Sequence, residues 1–225
     1  MFGKNKVLKP EKHSGAHLDI VEMFPTLQGE GPYAGYPAVF IRLGGCNLAC
    51  SFCDTEFENY KNLSMDEIMT ETVLLSKNSK GNRVKNLVVI TGGEPLRQPI
   101  EKLCELLLNE GFLIQIETNG TIYRDLPKEV KIICSPKITN GKYHHIRPDL
   151  LPNIDAFKFI ISKNLEDYQR ISEIGQSEFK TAVYLQPMDE IDDKKNSDNL
   201  TYTSDLCQES GYLLSLQQHK VLGIR

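Results

Sequence analysis

The sequence predicts an α/β protein built on a mostly parallel sheet, with about six strand–helix repeats rather than the eight of a closed barrel. Three observations carry this. From Asp19 onward, short runs rich in Val, Ile and Phe alternate with helical patterns, the mark of successive βα repeats. Some runs, Leu87-Val88-Val89-Ile90 above all, are apolar without a break, as a strand in a helix-covered sheet is. The chain has 225 residues, which suits one domain with a sizeable core.

Taken in order, residues 1–16 are polar and Lys-rich without periodicity, and are expected to form a flexible leader ahead of a single domain over 17–225. Strands are expected at 20–24, 38–43, 87–90, 113–117, 131–134, 156–161, 181–186 and 212–216, from their β-branched and aromatic content. Ser64-Met65-Asp66-Glu67 has the form of a capping box, with Ile68, Thr72 and Leu75 following on one helical face. Pro99 suits a first helical turn, and Ile100, Leu103, Leu106 and Leu107 continue that helix. Leu165, Tyr168, Ile171 and Ser172 mark a third helix, and 198–209 a fourth.

Composition narrows the function classes. A net charge of 26 − 30 = −4 gives no sign of a nucleic-acid or anionic-membrane partner. No apolar run approaches the roughly 20 residues of a membrane span, and the N-terminus has no apolar secretory core. Three of the six cysteines fall within eight positions, while Cys104, Cys134 and Cys207 are scattered through apolar or helical contexts. The scattered three read as buried free thiols, and the whole set points to a reducing, cytoplasmic compartment.

The clustered three, Cys46, Cys50 and Cys53, carry the chemistry. Three thiolates on one loop can hold three corners of a 4Fe–4S cluster and leave the fourth iron open. A structural zinc would want another Cys or His close by, and none lies between Cys53 and the next helix. The loop follows the strand at 38–43, broken by Gly44-Gly45, and sites in α/β sheets form at the C-terminal ends of strands. Thr91-Gly92-Gly93-Glu94-Pro95 likewise follows 87–90; its glycines admit a ligand to the backbone, and Glu94 and the carbonyls can accept from an ammonium. Alone, a Gly-Gly after a strand is more often a turn.

CxxxCxxC followed by this GGEP sequence resembles the radical S-adenosylmethionine (SAM) enzymes, which implies a partial (β/α)6 radical SAM barrel whose open iron chelates SAM. Further motifs are Phe24-Pro25-Thr26-Leu27-Gln28-Gly29-Glu30-Gly31, Cys53-Asp54-Thr55, Glu117-Thr118-Asn119-Gly120, Ser135-Pro136-Lys137, Gln186-Pro187-Met188-Asp189 and Leu216-Gln217-Gln218-His219-Lys220. In this order, over about residues 20–225, the chain is similar to the 7-carboxy-7-deazaguanine synthase family, ring-contracting carbon–nitrogen lyases of queuosine and other 7-deazapurine biosynthesis.

The resemblance implies a pterin substrate, 6-carboxy-5,6,7,8-tetrahydropterin. Arg42 would take its carboxylate, as a guanidinium does bidentately. Leu27, Gln28, Gly29 and Glu30 would read the pterin edge, with Thr91, His219 and the Arg225 carboxylate completing the pocket. SAM would be held by Phe52, Asp54, Gly93, Glu94, Ser135, Pro136, Lys137, Gln186, Pro187, Met188 and Asp189. Cys46, Cys50 and Cys53 would hold the cluster, and the Thr55 hydroxyl a Mg²⁺ ion.

In the implied reaction a one-electron cleavage of SAM yields a 5′-deoxyadenosyl radical, which takes hydrogen from C6. The ring contracts, ammonia leaves and SAM is re-formed. No side chain serves as a nucleophile. A flavodoxin- or ferredoxin-type reductant and a homodimer are implied as well. Two rival readings stand beside this one: another radical SAM enzyme, such as a glycyl-radical activase, and a non-catalytic iron–sulfur electron carrier, which would need a fourth cluster ligand. Taken singly, some of these residues have plainer readings: Gly-Glu-Gly as a turn, Thr55 as a helix cap and a lone His219 as structural.

Overall fold

A computed structural model describes residues 5–53 and 55–224. The strands are β1 (His17–Leu27), β2 (Pro37–Leu43), β3 (Lys61–Ser64), β4 (Leu87–Gly92), β5 (Leu113–Thr118), β6 (Lys131–Cys134), β7 (Ile138–Thr139), β8 (Lys142–Tyr143), β9 (Ala156–Ile161), β10 (Ala182–Pro187) and β11 (Leu213–Leu214). The helices are α1 (Met65–Leu75), α2 (Glu101–Asn109), α3 (Asp193–Ser210) and α4 (Gln218–Leu222). Nine strands form one sheet in the order β11-β10-β9-β6-β5-β4-β2-β1-β3, and β7 with β8 forms a small ribbon. From β2 to β11 every pairing is parallel, while β1 runs antiparallel to both β2 and β3. The architecture is the mostly parallel, open partial barrel that the strand pattern predicts.

β4 shows why its sequence is apolar throughout. Val88 and Ile90 join the main core with Ile41, Leu103, Leu107, Ile114 and Ile116. On the other face Leu87 and Val89 pack with Ala38 under Tyr33 and Phe40. Both faces are covered, so neither can carry polar side chains. β1 is longer than its apolar stretch because β3 pairs with its first residues and β2 with the rest. Backbone pairing supplies what the alternation of side chains does not signal.

The capping box at α1 is formed: Ser64 Oγ accepts from the Glu67 N–H at 3.3 Å, and Glu67 Oε2 accepts from the Ser64 N–H at 2.8 Å. Pro99 lies just ahead of α2 rather than in its first turn. α3 begins five residues before 198, because the Asp192 carboxylate caps it through the Lys195 N–H at 3.0 Å. Over 165–172 no α-helix forms, only a 3-10 turn at Glu166–Tyr168. There Ser162 Oγ accepts from the Asn164 and Leu165 N–H groups, and Tyr168 turns inward against Phe52, ring centroids 5.3 Å apart. Tertiary packing overrides the helical spacing.

Where a flexible leader is expected, residues 5–16 lie as a strap along the cysteine loop. The Leu8 N–H donates to the Cys46 carbonyl at 2.8 Å and Asn5 Nδ2 to the Leu48 carbonyl at 2.8 Å. Glu11 pairs with Arg97 at 2.5 Å, a guanidinium only 2% exposed. Among the described residues no helix is long and apolar enough to cross a membrane.

Candidate functional site

Because β2, β4, β5, β6, β9 and β10 run parallel, their C-terminal ends meet at one edge of the sheet. There they open onto a cavity of about 490 Å³, within the usual range for a small-molecule site. Cys46, Cys50, Phe52, Cys53 and Thr55 line it, together with Leu27, Gln28, Glu30, Arg42 and Thr91. Gly93, Ser135, Lys137, Gln186 and His219 complete much of the wall. Residues far apart in sequence are therefore brought to one cavity. Asp54 and Arg225 lie outside the described residues.

At the cysteine end, the backbone does the positioning. The Glu94 N–H donates to the Gly45 carbonyl at 3.0 Å, which lays the GGEP turn on the cysteine loop. A Cβ on Gly93 would sit 2.2 Å from that carbonyl oxygen and 2.8 Å from Cys46 Cβ, so only glycine permits the approach. Burial pushes the Cys46 thiol up to about 12. Burial also raises Cys50, against the pull of the Lys137 ammonium. Metal ligation must therefore displace protons from these groups.

The donor set fits the group the resemblance implies. Three thiols face one cavity, while Cys104, Cys134 and Cys207 are buried on α2, β6 and α3, away from its wall. Among the described residues no three Cys, His, Asp or Glu groups converge on one metal ion. Three thiols on one cavity are the donors that a cluster with one open iron takes.

Several residues expected at SAM are engaged by the protein itself or lie outside the cavity lining. Glu94 is fully buried: Oε1 accepts from the Leu96 N–H at 2.9 Å and from Thr118 Oγ1 at 2.7 Å, and Oε2 from the Asn119 N–H at 2.7 Å. It ties the ends of β4 and β5 together and lies behind the cavity wall rather than in it. Pro136, Pro187 and Met188 are also absent from the wall; Met188 packs with Ile138 and Tyr168. Asp189 accepts from Lys220 Nζ at 2.7 Å and from Asn196 Nδ2 at 2.8 Å. The Lys220 contact holds its carboxyl at about 2, and the pair anchors α4. Lys137 remains in the wall, its Nζ 2.6 Å from Ser135 Oγ and 6.0 Å from the Phe52 ring centroid.

Among the residues expected at the substrate, Arg42 stands across from Glu22 in the β1–β2 register, Nε to Oε1 2.8 Å. Gly29, which is not among the residues lining the cavity, packs against α4: a Cβ there would lie 2.3 Å from His219 Nδ1, and its carbonyl accepts from the Gln218 N–H at 3.1 Å. Its missing side chain is what lets α4 dock. Gln28 is buried and its Oε1 accepts from the Glu30 N–H at 3.2 Å.

Glu30 belongs to a buried charge cluster that motif reading does not reveal. Lys158 Nζ, 5% exposed, bridges the Glu30 carboxylate and Glu117 Oε2, the latter at 2.9 Å. Gln217 Nε2 donates to Glu30 Oε1 at 2.9 Å, and Gln115 Nε2 to Glu117 Oε1 at 2.6 Å. Burial alone would raise the Glu30 carboxyl; Lys158 and Gln217 overturn that and hold it at about 2. For Glu117 burial prevails over the pull of Lys158, and its pKa is raised. Burial disfavours the Lys158 ammonium, but the two carboxylates outweigh it and raise its pKa. One signal could have exposed Lys158: it interrupts the apolar run Ala156-Phe157-Lys158-Phe159-Ile160-Ile161, and a lysine inside a covered strand requires charged partners.

Comparison with known proteins agrees with the geometry. Residues 40–145 match the Radical SAM superfamily. The chain is 54% identical over 224 residues to the 7-carboxy-7-deazaguanine synthase of Rickettsia prowazekii (strain Madrid E), covering 100% of this chain and 96% of that one. It is 38% identical over 243 residues to the 7-carboxy-7-deazaguanine synthase of Rhodospirillum rubrum, covering 100% of both. The structure is similar to the crystal structure of QueE from Escherichia coli, with a TM-score of 0.71 and 26% identity over 89% of this chain and 93% of that one.

Proposed function

Since the chain belongs to the 7-carboxy-7-deazaguanine synthase family of the radical SAM superfamily, we propose that its cavity binds 6-carboxy-5,6,7,8-tetrahydropterin at the Glu30–Arg42 end and SAM beside the three cysteines. The protein is a radical SAM lyase of queuosine biosynthesis that works with a 4Fe–4S cluster and SAM. The observation that supports this arrangement best is that one cavity is lined both by three cysteine thiols and by the Glu30 carboxylate and the Arg42 guanidinium.

Bound together, the cluster and SAM supply the radical that abstracts hydrogen from the substrate. The chain's own residues bind, orient and enclose. Arg42 offers a guanidinium to the substrate carboxylate, with Glu22 setting its direction. Glu30 offers an ionised acceptor to the N–H groups of the pterin edge, and Gln28 and His219 close the wall around it. Ser135 and Lys137 stand where they can meet polar groups of SAM. Thr55, in the wall of the same cavity as the cysteines and Arg42, offers a hydroxyl to Mg²⁺, a hard cation that keeps oxygen ligands. Holding the reactants in register and away from water is the protein's share of such a reaction.

The size of the cavity, about 490 Å³, favours a small heterocycle over the protein substrate of a glycyl-radical activase. A small flavodoxin- or ferredoxin-type protein would deliver the electron to a cytoplasmic homodimer. The test is anaerobic reconstitution with iron and sulfide, followed by SAM, Mg²⁺, a chemical reductant and 6-carboxy-5,6,7,8-tetrahydropterin. A deazaguanine absorbance with release of ammonia is expected; a fully loaded enzyme that forms no such product overturns the reading.

A further inference from the structure

We propose that Lys158 is the positioning residue of the substrate end: by bridging Glu30 and Glu117 it keeps Glu30 as the ionised acceptor and sets the local charge at one negative. The inference rests on the substrate site proposed above and adds a residue that site does not include. The charge count is the first ground. Two carboxylates and one ammonium face each other in the same cavity wall, so this cluster presents a single negative charge to a ligand edge rich in N–H donors. A neutral aminopyrimidinone edge suits that charge; an anionic edge does not.

The second ground is where the three groups come from. Glu30 lies in the loop after β1, Glu117 on β5 and Lys158 on β9. Phe157 and Phe159, the neighbours of Lys158, are fully buried in the main core, so the alternation of β9 directs the ammonium to the cavity face. Without it, two carboxylates would share an enclosed site, and one would take up a proton. Glu30 would then spend part of its time as a donor, the wrong partner for an N–H edge. Holding the proton off Glu30 is thus a task distinct from simple bridging. The titratable groups facing Glu30 are Lys158, Glu117 and, from α4, His219.

Charge-matched double variants test this, with pterin-6-carboxylate as a non-turnover probe whose fluorescence quenching reports binding to the reconstituted enzyme. Lys158→Met should weaken binding about tenfold or more and introduce a pH dependence between pH 6 and 9, with iron content unchanged. K158M/E117Q and K158M/E30Q both restore one negative charge. Only K158M/E117Q, which leaves that charge on Glu30, should recover binding to within a few-fold and flatten the pH profile. Equal recovery by both doubles would show that net charge alone matters and would overturn the proposal. So would wild-type binding by Lys158→Met, or no recovery by K158M/E117Q. If Lys158→Met does not fold, the two doubles decide by themselves. Failure of the wild-type enzyme to bind pterin-6-carboxylate would instead count against the substrate site.

Discussion

Where the substrate is proposed to bind, Glu30, Lys158 and Glu117 satisfy one another through ion pairs and two glutamines. At the cluster end, the loop is held by backbone contacts from the strap and the GGEP turn, while burial keeps the Cys46 and Cys50 thiols protonated. One end has its electrostatics assembled in advance, which is how a protein recognises a ligand without reorganising. The other supplies a scaffold and leaves the charge to arrive with the metal. Lesions at the two ends should therefore differ in kind. The cluster end should lose cofactor, and the substrate end should lose affinity.

The largest effect should come from Cys50→Ala, which removes one of three cluster corners: iron and sulfide per chain and turnover should both collapse. Cys104→Ala, in the core, should leave cluster content as it is, and loss of the cluster in that variant would break the contrast by revealing a fourth ligand. Next, Arg42→Ala should raise KM roughly ten- to a hundredfold, the worth of a charge-assisted hydrogen bond at about 1.5–3 kcal/mol. Its iron content should match the wild type, and an unchanged KM would remove Arg42 from substrate binding.

Glu11→Gln tests the strap. It leaves the buried Arg97 without its carboxylate, at a cost of about 1–3 kcal/mol. A lower melting temperature and faster loss of iron to a chelator are expected, with KM unchanged; a KM effect without iron loss would show that the strap serves the wrong end. Thr55→Ala should blunt the response of turnover to added Mg²⁺, and an unaltered metal titration would exclude that ligand.

The smallest effect concerns α4. The Lys220 contact lowers Asp189 from its ordinary 3.8 to about 2. Its contribution to stability is then complete above pH 3.8 and lost as the pH falls from there toward 2. Denaturation of the metal-free protein across that range should show the loss, and Asp189→Asn should flatten it.

Much of the molecule can be read from short stretches. The capping box at Ser64 and the covered strand at Leu87–Gly92 are legible because adjacent residues make the structure they signal. The helix read at 165–172 fails for the opposite reason. Its spacing is helical, but Ser162 caps the backbone and Tyr168 is drawn against Phe52 from another loop. Glu94 shows the same limit at the site: the motif marks the turn, yet only the packing shows its carboxylate spent on Thr118, Asn119 and Leu96.

By itself the sequence determined the parallel-sheet class, the spacing of Cys46, Cys50 and Cys53 and the order of motifs that mark the family, since each is written in neighbouring residues or a local period. Tertiary structure alone decided that residues 5–16 form a strap, that Glu94 and Asp189 serve the scaffold, and that Lys158 joins Glu30 to Glu117. The reason is separation along the chain. Residues 30, 117 and 158 meet only because the strand order brings the loop after β1, the middle of the sheet and β9 to one cavity. A buried charge declares its partners only once the sheet has been assembled.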